Sequence, residues 1–358
     1  MPLPPPSPAA PAALRYAFFG PVGTFSEAAL RTVVPDAPAE AMASVDATIE
    51  AVRTGRADVG CVPIENSVEG GVPATLDGLA VGEPLVVVAE VVLRVSFVLA
   101  VRPGTALADV RTVSTHSHAY AQVRRWLHAE VPGAAYVPAT STAAAAEALA
   151  LEVSDGVPAG FDAAICAPFA ARRFGLDVLA ERIEDRAGAQ TRFVLLSRPG
   201  VGPAPAPTGD DKTSLVVFLR EERPGALVEA LEQFVTRGIN LTRIESRPAG
   251  DALGRYCFSI DCDGHVGDAR VGEALMGLHR VCEQVRFVGS YPRSDGGHAV
   301  PGNGPSAEAF AAAQAWLDRL RRARPAEPGR SSPASPGGDQ GGVPVSTSAL
   351  GCAGGWSP

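Results

Sequence analysis

Three short segments of the sequence carry groups that could bind an anion and transfer a proton. Residues 20–26 (GPVGTFS) place two glycines between a predicted strand and a predicted helix, where backbone N–H groups can face a carboxylate. Residues 65–67 (ENS) offer a carboxylate, an amide and a hydroxyl just after Pro63, which is expected to end a strand. Residues 191–193 (TRF) open another strand. An anionic substrate would be met by locally placed arginine and backbone N–H groups.

Each segment also has an ordinary structural interpretation. The glycine-containing turn could simply be capped by Thr24 or Ser26. The triplet 65–67 could form an Asx-type turn, and Arg192 could be a solvated surface residue. His116, which follows a predicted strand, would more often be a partner of a helix end than a catalyst. Taken one at a time, the segments leave both interpretations open.

Composition and motifs disfavour several classes of function. The formal net charge of −8 argues against an electrostatic footprint for nucleic acid or an anionic membrane. The only lysine, Lys212, is expected to lie in a linker, so the sequence predicts no pyridoxal phosphate or Schiff-base chemistry. The histidines do not pair with cysteine or carboxylate at ligand spacing, and the sequence has no P-loop and no nucleophile elbow. We therefore expect neither a metal nor a cofactor.

The sequence predicts neither export nor membrane insertion. Its richest apolar stretch, residues 85–101, is interrupted by Glu90 and Arg94, short of the roughly 18 apolar residues that span a bilayer. The first fourteen residues carry no basic side chain, unlike a signal peptide. The six cysteines show no CxxC spacing. We therefore expect a cytoplasmic protein with reduced core cysteines and no membrane or nucleic-acid partner.

The elements that must position the three segments alternate between strands and helices as far as residue 197. Strands are predicted at residues 16–19, 58–62, 85–93, 95–101, 110–114, 135–137, 163–166 and 191–197. Helices are predicted at 26–34, 46–53 with Asp46 as N-cap, from 119, from 142, and at 168–174. The alternation predicts an α/β fold with helices covering a mostly parallel sheet, which binds ligands at the carboxyl ends of its strands.

A second folded region is predicted after a linker rich in proline and glycine at residues 199–212. Its order is βαββαβ, the ferredoxin-like arrangement. Its elements are predicted at 213–220, 224–236, 239–247, 253–261, 268–282 and 285–290. Residues 1–14 are predicted to be a disordered segment, and 293–358 a low-complexity tail with one amphipathic helix at 306–324.

Taken together, the segments resemble prephenate dehydratase. That family's Gly-Pro-x-Gly-Thr-Phe-Ser stands at residues 20–26, its Val-Pro-Ile-Glu-Asn-Ser at 62–67 and its Thr-Arg-Phe at 191–193. Its Ser-His-Pro segment with a following Gln is similar to residues 115–117 with Gln122. Three departures stand out: Thr115 and Ser117 replace the Ser and Pro beside the histidine, and Ala189 stands where an Asn is expected.

The resemblance implies a monofunctional enzyme, with no chorismate mutase bundle before it. This enzyme would remove water and carbon dioxide from prephenate to give phenylpyruvate for phenylalanine biosynthesis. Its fold would be a bilobal catalytic domain of two α/β subdomains, periplasmic-binding-protein-like, at 15–198, and a ferredoxin-like ACT regulatory domain at 213–292. The implied catalytic residues are Thr191, Glu65 and Asn66. The implied substrate-binding residues are Thr24, Ser26, Ser67, His116, Gln122, Arg192 and Phe193.

Within the implied mechanism, Thr191 protonates the leaving hydroxyl. A free threonine is a weak acid, so the proton would be relayed from a neighbour, for which Glu65 is one candidate. Arg192, Asn66 and the amides of residues 20–26 would orient carboxylates.

The resemblance of the second region implies regulation by L-phenylalanine as an allosteric inhibitor, in a homodimer or homotetramer. The residues that stand where this family binds phenylalanine are Gly225, Ala226, Leu227, Val228, Glu245, Ser246, Arg247 and Pro248. Two alternatives remain open. An arogenate dehydratase would use the same residues on the amino acid analogue of prephenate. A non-enzymatic two-lobed ligand-binding sensor would share the layout, although the Thr-Arg-Phe segment counts against it.

Overall fold

The computed structural model describes residues 13–156, 158–202, 204–249, 255–297 and 306–322. The helices are α1 Phe25–Val33, α2 Val45–Arg53, α3 Pro73–Ala80, α4 Ser117–Glu130, α5 Thr142–Asp155, α6 Pro168–Arg173, α7 Ala226–Val235, α8 Ala269–Val281 and α9 Ala307–Arg322. The strands are β1 Tyr16–Phe19, β2 Ala39–Met42, β3 Val59–Asn66, β4 Gly70–Gly71, β5 Val86–Arg94, β6 Val98–Val101, β7 Thr112–Thr115, β8 Ala135–Pro138, β9 Ala163–Cys166, β10 Asp177–Glu181, β11 Gln190–Ser197, β12 Asp211–Phe218, β13 Leu241–Pro248, β14 Tyr256–Asp263 and β15 Gln284–Pro292.

The first two sheets are both mixed. The first has the order β2-β1-β3-β11-β5, with β4 paired to β3, and the second has the order β10-β6-β9-β7-β8. In the first sheet β1 runs parallel to β2 and β3, whereas β11 runs antiparallel to β3 and β5. In the second, β6 is the strand that runs antiparallel to both of its neighbours. The prediction of a mostly parallel sheet is therefore wrong. A run of apolar residues predicts a strand, but it does not indicate in which direction that strand runs relative to its neighbours.

Strand β3 continues through Pro63, which was expected to end it. Its pairing with β11 shifts by one residue at this point: Phe193 lies opposite Pro63, and Arg192 lies opposite Glu65. Ile64 is the extra residue without a partner on β11, and a proline next to such a bulge is tolerated because the ladder is interrupted there. Glu65 and Asn66 are thus strand residues with side chains on opposite faces, rather than members of one loop.

Several local boundaries also differ from the prediction. Helix α2 begins at Val45, and its cap is Ser44, whose Oγ accepts from Ala47 N at 3.0 Å. The predicted cap, Asp46, lies in the first turn instead, where its charge complements the helix dipole. Strands β2 and β10 and helix α3 were not predicted, because each is short and weakly periodic.

The third sheet has the predicted βαββαβ order. Its strands lie in the order β13-β14-β12-β15 and are antiparallel throughout. On β12, Leu215 and Val217 belong to a buried cluster shared with α7 and α8, whereas Val216 faces the other way. Val216 shares its cluster with Val194 of β11, so the third sheet and the first sheet bury apolar side chains against each other.

Lys212 lies in β12 and is only 3% exposed, so the expectation of a lysine in a linker is wrong. Its Nζ lies 3.2 Å from Glu90 Oε1 and 2.7 Å from Asp295 Oδ2. A lysine is rarely buried this deeply unless carboxylates pair with it. The predicted linker therefore ends before Asp211, where the strand begins.

The predicted tail also begins too early. Ser294 N donates to Glu90 Oε1 at 2.8 Å, and Asp295 pairs with Lys212. Helix α9 lies within the predicted helix 306–324. The rest of the predicted tail, 298–305 and 323–358, lies outside the described residues, and so do residues 1–12, 253–254 and Cys352.

A chain ending at Arg293 is expected to be about 1–3 kcal/mol less stable than a chain ending at Gly297. The shorter chain removes Ser294, which donates to the buried Glu90, and Asp295, which pairs with the buried Lys212. Each buried group therefore loses one hydrogen-bonding partner. Urea unfolding of both truncated proteins measures the difference, and the chain ending at Gly297 is the matched control. Equal unfolding midpoints and slopes would show that residues 294–297 contribute nothing.

The described cysteines are core residues, as predicted. Cys61, Cys166, Cys257, Cys262 and Cys282 are free and buried. Burial raises the pKa of the Cys61 thiol to about 12. None of the described helices has the length and apolar composition of a membrane span.

Candidate active site

A pocket of about 290 Å³ collects most of the residues that the sequence singled out. It is lined from the first sheet and its helix α1 on one wall, and from helices α4 and α5 of the second sheet on the other. The predicted site residues that line it are Thr24, Ser26, Asn66, His116, Gln122, Thr191 and Phe193. Lining residues that were not predicted are Phe19, Phe25, Pro63, Glu69, Val95, Phe97, His118, Ala119, Thr140, Ser141 and Thr142.

Three helices begin at this pocket. Thr24 caps α1, His116 caps α4 and Ser141 caps α5, and each side chain accepts a hydrogen bond from the backbone of its own first turn. All three cap residues line the pocket. Because a helix N-terminus carries a partial positive charge of about +0.5, three of them together favour an anionic ligand. The α5 terminus was missed because Thr140 and Ser141 belong to none of the matched segments.

The glycine turn acts less directly than predicted. Gly20 N donates to Met42 O at 2.8 Å, and Gly23 N donates to Glu27 Oε2 at 2.7 Å, so both glycine amides serve the fold. Gly23 has φ of 87°, and a Cβ there would lie 2.9 Å from the Phe174 ring, which explains the need for glycine. Within this segment, the N-terminus of α1 is therefore the part that can contact an anion, instead of the two glycine amides.

Thr191 and Asn66 form the central polar contact of the pocket. Asn66 Nδ2 donates to Thr191 Oγ1 at 2.8 Å. Asn66 Oδ1 accepts from the backbone N–H of Val68 at 2.8 Å and of Glu69 at 3.2 Å, which fixes the orientation of the amide. A hydroxyl that accepts one hydrogen bond can still donate its own proton to a second acceptor. Thr191 is therefore held ready to donate to a bound ligand.

The charges of the pocket are few. Among its described lining residues there is no lysine or arginine, and Glu69 is the only carboxylate. His118 Nδ1 lies 3.1 Å from Glu69 Oε2. Burial lowers the pKa of His116 and the nearby His118 lowers it further, against the opposite effect of Glu69. His116 is therefore neutral near pH 7 and able to accept the His118 N–H that it caps.

The structure corrects the predicted placement of Glu65, Ser67 and Arg192. These three residues line a second pocket, of about 220 Å³, on the opposite face of β3 and β11. Successive side chains of a strand alternate, so Thr191 and Arg192 must point to opposite faces. Glu65 is therefore not placed to relay a proton to Thr191, and Arg192 and Ser67 do not share a cavity with it.

Arg192 joins three strands through its guanidinium. Its Nε lies 2.6 Å from Glu90 Oε2 of β5, its Nη1 2.5 Å from Asp261 Oδ2 of β14, and its Nη2 2.7 Å from Tyr291 Oη of β15. All four side chains are buried. Burial alone would lower the pKa of Arg192, but Tyr291, Asp261 and Glu90 raise it well above its ordinary value. Arg192 is a buried cation that ties the active-site strand to the third sheet.

The residues predicted to bind phenylalanine lie on the third sheet and its first helix. Gly225 caps α7, whose first residues are Ala226, Leu227 and Val228. Glu245, Ser246, Arg247 and Pro248 end β13. Ala226 lines a small pocket of about 120 Å³, and none of residues 245–248 is among its described lining residues.

Two of these residues contact the first sheet and its helix α3. Arg247 forms a two-point ion pair with Asp77 of α3, with N–O distances of 2.9 and 2.8 Å. The Glu245 carboxylate packs against Gly71 of β4, in the space that a side chain there would need. The second region thereby touches the segment that follows Asn66.

Comparison with known proteins decides the family. A family model described as prephenate dehydratase matches residues 16–200, more than half of the chain. A prephenate dehydratase of Mycobacteroides abscessus is 49% identical over 318 residues, covering 87% of this chain and 99% of the relative. The chain belongs to the prephenate dehydratase family. Another prephenate dehydratase, from Mycobacterium tuberculosis H37Rv, is 47% identical over 325 residues, covering 87% of this chain and 95% of the relative.

Solved structures support the fold. A prephenate dehydratase from Arthrobacter aurescens in complex with L-Phe has a TM-score of 0.78 and 51% identity, covering 86% of this chain and 100% of that chain. GqqA, described as a novel type of quorum-quenching acylase, has a TM-score of 0.69 and 33% identity, covering 78% and 98%. The second likeness shows that this prephenate dehydratase fold also occurs in a protein with another described activity.

Proposed function

We propose that this chain is a carbon–oxygen lyase that converts prephenate to phenylpyruvate in L-phenylalanine biosynthesis, with Thr191 as its acid. The observation that carries the assignment of the site is the Asn66–Thr191 hydrogen bond inside a pocket where three helices begin. Family membership supports the reaction, and the pocket supports the place where it occurs.

The pocket suits a small dianion with an apolar ring. Prephenate carries two carboxylates, and the starts of α1, α4 and α5 supply partial positive charge and hydrogen-bond donors in place of arginine. Phe25 and Phe97 meet edge to face with ring centroids 6.0 Å apart, and Phe193 lies in the same lining. These rings give the ring of the substrate an apolar wall and exclude water from it.

The reaction asks little more than alignment and one proton. The bond between the ring and its carboxylate breaks, the carboxylate leaves as carbon dioxide, and the electron pair of the bond enters the ring. The ring C–O bond breaks as the ring becomes aromatic. Negative charge develops on the departing oxygen, which takes a proton and leaves as water. Thr191 donates to that oxygen while Asn66 fixes the threonine, and the helix N-termini stabilise the developing charge.

The proton that Thr191 gives away is replaced from its own side of the strand. The described titratable groups that line the pocket are His116, His118 and Glu69. His116 and water entering at the open mouth would take over the relay that the sequence interpretation gave to Glu65, whereas Glu69 and His118 are hydrogen-bonded to each other.

Incubation with prephenate and with arogenate tests this function. We expect phenylpyruvate from prephenate, identified by mass and by its ultraviolet absorbance. Arogenate would yield phenylalanine instead. A folded protein that consumes neither compound would contradict the proposal.

We propose that the two mixed sheets are the two lobes of a periplasmic-binding-protein-like catalytic domain and that residues 213–292 are an ACT regulatory domain. The antiparallel βαββαβ sheet and the L-Phe complex of the Arthrobacter aurescens relative support the second assignment. L-Phenylalanine would be held by residues 225–228 and 245–248, at an interface between copies in a homodimer or homotetramer. The enzyme would work in the cytoplasm.

Calorimetric titration of L-phenylalanine into the intact protein is expected to give binding heat, together with inhibition of turnover. The coupling expected is about 1–3 kcal/mol, and reciprocity requires prephenate to weaken phenylalanine binding by the same factor. Asp77→Asn is the informative variant, because it removes the partner of Arg247 without altering residues 245–248. We expect it to bind phenylalanine but to be inhibited less. Absence of both heat and inhibition in the wild type would contradict the regulatory assignment.

A further inference from the structure

One hydrogen-bonded pair, Glu69 and His118, bridges the two walls of the pocket at its mouth. Glu69 lies in the turn between β3 and β4, on the wall of the first sheet, and His118 lies in the first turn of α4, on the wall of the second. His118 Nδ1 lies 3.1 Å from Glu69 Oε2. The side chains are 63% and 44% exposed, so both reach solvent at the opening. Both residues line the pocket that holds Thr191.

The charge of Glu69 matters because the pocket has so few charges. Glu69 is the only carboxylate among the described lining residues, and none of them is lysine or arginine. The two candidate substrates differ at one position, where prephenate has a ketone and arogenate has an ammonium group. Prephenate is a dianion, whereas arogenate carries one net negative charge. A free carboxylate in this pocket would repel the dianion and attract the ammonium group.

We propose that His118 makes the site select prephenate, the keto acid, over arogenate, the amino acid, by hydrogen-bonding to the Glu69 carboxylate. The inference rests on the proposed function of this pocket. The imidazole N–H donates to the carboxylate oxygen that would otherwise receive an ammonium group, and any protonation of the ring offsets the negative charge. Specificity then has two sources: arogenate finds no free carboxylate for its ammonium group, and prephenate makes its own favourable contacts.

The size of the effect is bounded by exposure. An exposed ion pair is commonly worth about 0.2–1 kcal/mol, and 1.4 kcal/mol corresponds to a factor of ten. We therefore expect His118→Ala to raise the ratio of kcat/KM for arogenate to kcat/KM for prephenate by about 1.4- to fivefold. Most of the change should appear as a lower KM for arogenate, because the released Glu69 carboxylate can then accept a hydrogen bond from the ammonium group. Alanine is chosen because it cannot hydrogen-bond to Glu69.

The experiment measures kcat/KM for both substrates in the wild type, His118→Ala, Glu69→Gln and the double variant. Glu69→Gln is expected not to raise the ratio. The double variant is expected to have the same ratio as Glu69→Gln, because no carboxylate remains at position 69 for His118 to hydrogen-bond. His128→Ala, which removes an exposed histidine farther along α4, is the matched control and should leave the ratio unchanged.

The outcomes separate this proposal from the function on which it rests. Wild-type turnover of prephenate supports the function whatever the variants do. Three results would each overturn the role proposed for His118 in selecting prephenate. They are an unchanged ratio in His118→Ala, a rise in the double variant equal to that in His118→Ala, and a wild type that prefers arogenate. A folded wild type that is inactive on both substrates overturns the proposed function, and with it the proposed role of His118.

Discussion

Thr191→Ala is expected to lower kcat by about 10²–10⁴-fold, with a modest change in KM, because the variant loses the group that donates to the departing oxygen. Thr191→Ser should retain more activity, since the hydroxyl survives. Thr191→Val keeps the shape of the side chain without its hydroxyl, and it should be as inactive as the alanine variant. Steady-state kinetics on prephenate measures all three.

The neighbouring amide supplies a second test of the same contact. Asn66→Ala removes the donor to Thr191 Oγ1 and is expected to lower kcat less than Thr191→Ala does. The double variant should be little worse than Thr191→Ala, because Asn66 acts through the hydroxyl and the effects of coupled residues are not additive. Wild-type turnover in Thr191→Ala would remove Thr191 from the mechanism. Fully additive losses would show that Asn66 acts separately.

Arg192→Met is expected to destabilise the fold by roughly 3–5 kcal/mol, the usual effect of removing one partner of a buried ion pair. The variant leaves Glu90 and Asp261 buried beside an apolar side chain. Arg192→Lys keeps the charge but loses the planar fork, so an intermediate loss is expected. Urea unfolding measures the change, and Arg94→Met, at an exposed arginine of β5, is the control.

The loss at Arg192 should depend on pH in a defined direction. Burial alone would raise the pKa of Asp261, but Arg192 and Arg243 lower it well below the ordinary carboxyl range. A carboxylate with a depressed pKa stabilises the fold above its unfolded-state pKa, and the effect is lost as the pH falls through the folded-state value. The difference between wild type and Arg192→Met should therefore be full at pH 7 and shrink in acid. Wild-type stability with a raised KM would instead make Arg192 a ligand of the substrate.

The order of most elements, and several of the residues that line the pocket, could be predicted from the sequence. Apolar periodicity, turn residues and the position of proline act locally, which is why most helices and strands of the alternating region lie close to their predicted ranges. The structure brings Thr24, Asn66, His116 and Thr191 of the spaced motifs into one pocket. The first and third follow β1 and β7, Asn66 ends β3, and Thr191 lies at the start of β11, which runs antiparallel to β3.

The face of the sheet on which each site residue lies could not be predicted from the sequence. Side chains of a strand alternate with a period of two, so a shift of one residue moves a side chain to the opposite face. Glu65 and Asn66 are successive residues of β3, so Asn66 lies beside Thr191 on one face and Glu65 lies beside Arg192 on the other. The sequence motif does not show that the strand continues past Pro63 to Asn66, and Glu65 was therefore predicted to lie in one loop with Asn66, close to Thr191.

The buried charges were likewise beyond the reach of the sequence. Arg192 looked like a solvated cation and Lys212 like a linker residue, because their hydrogen-bonded carboxylate partners lie 69 to 122 positions away along the chain. Arg192 and Asp261 are themselves 69 residues apart. Local patterns report what a residue prefers among its neighbours in the chain. Whether a charge is buried depends on which distant strands pack against it, and folding alone brings those together.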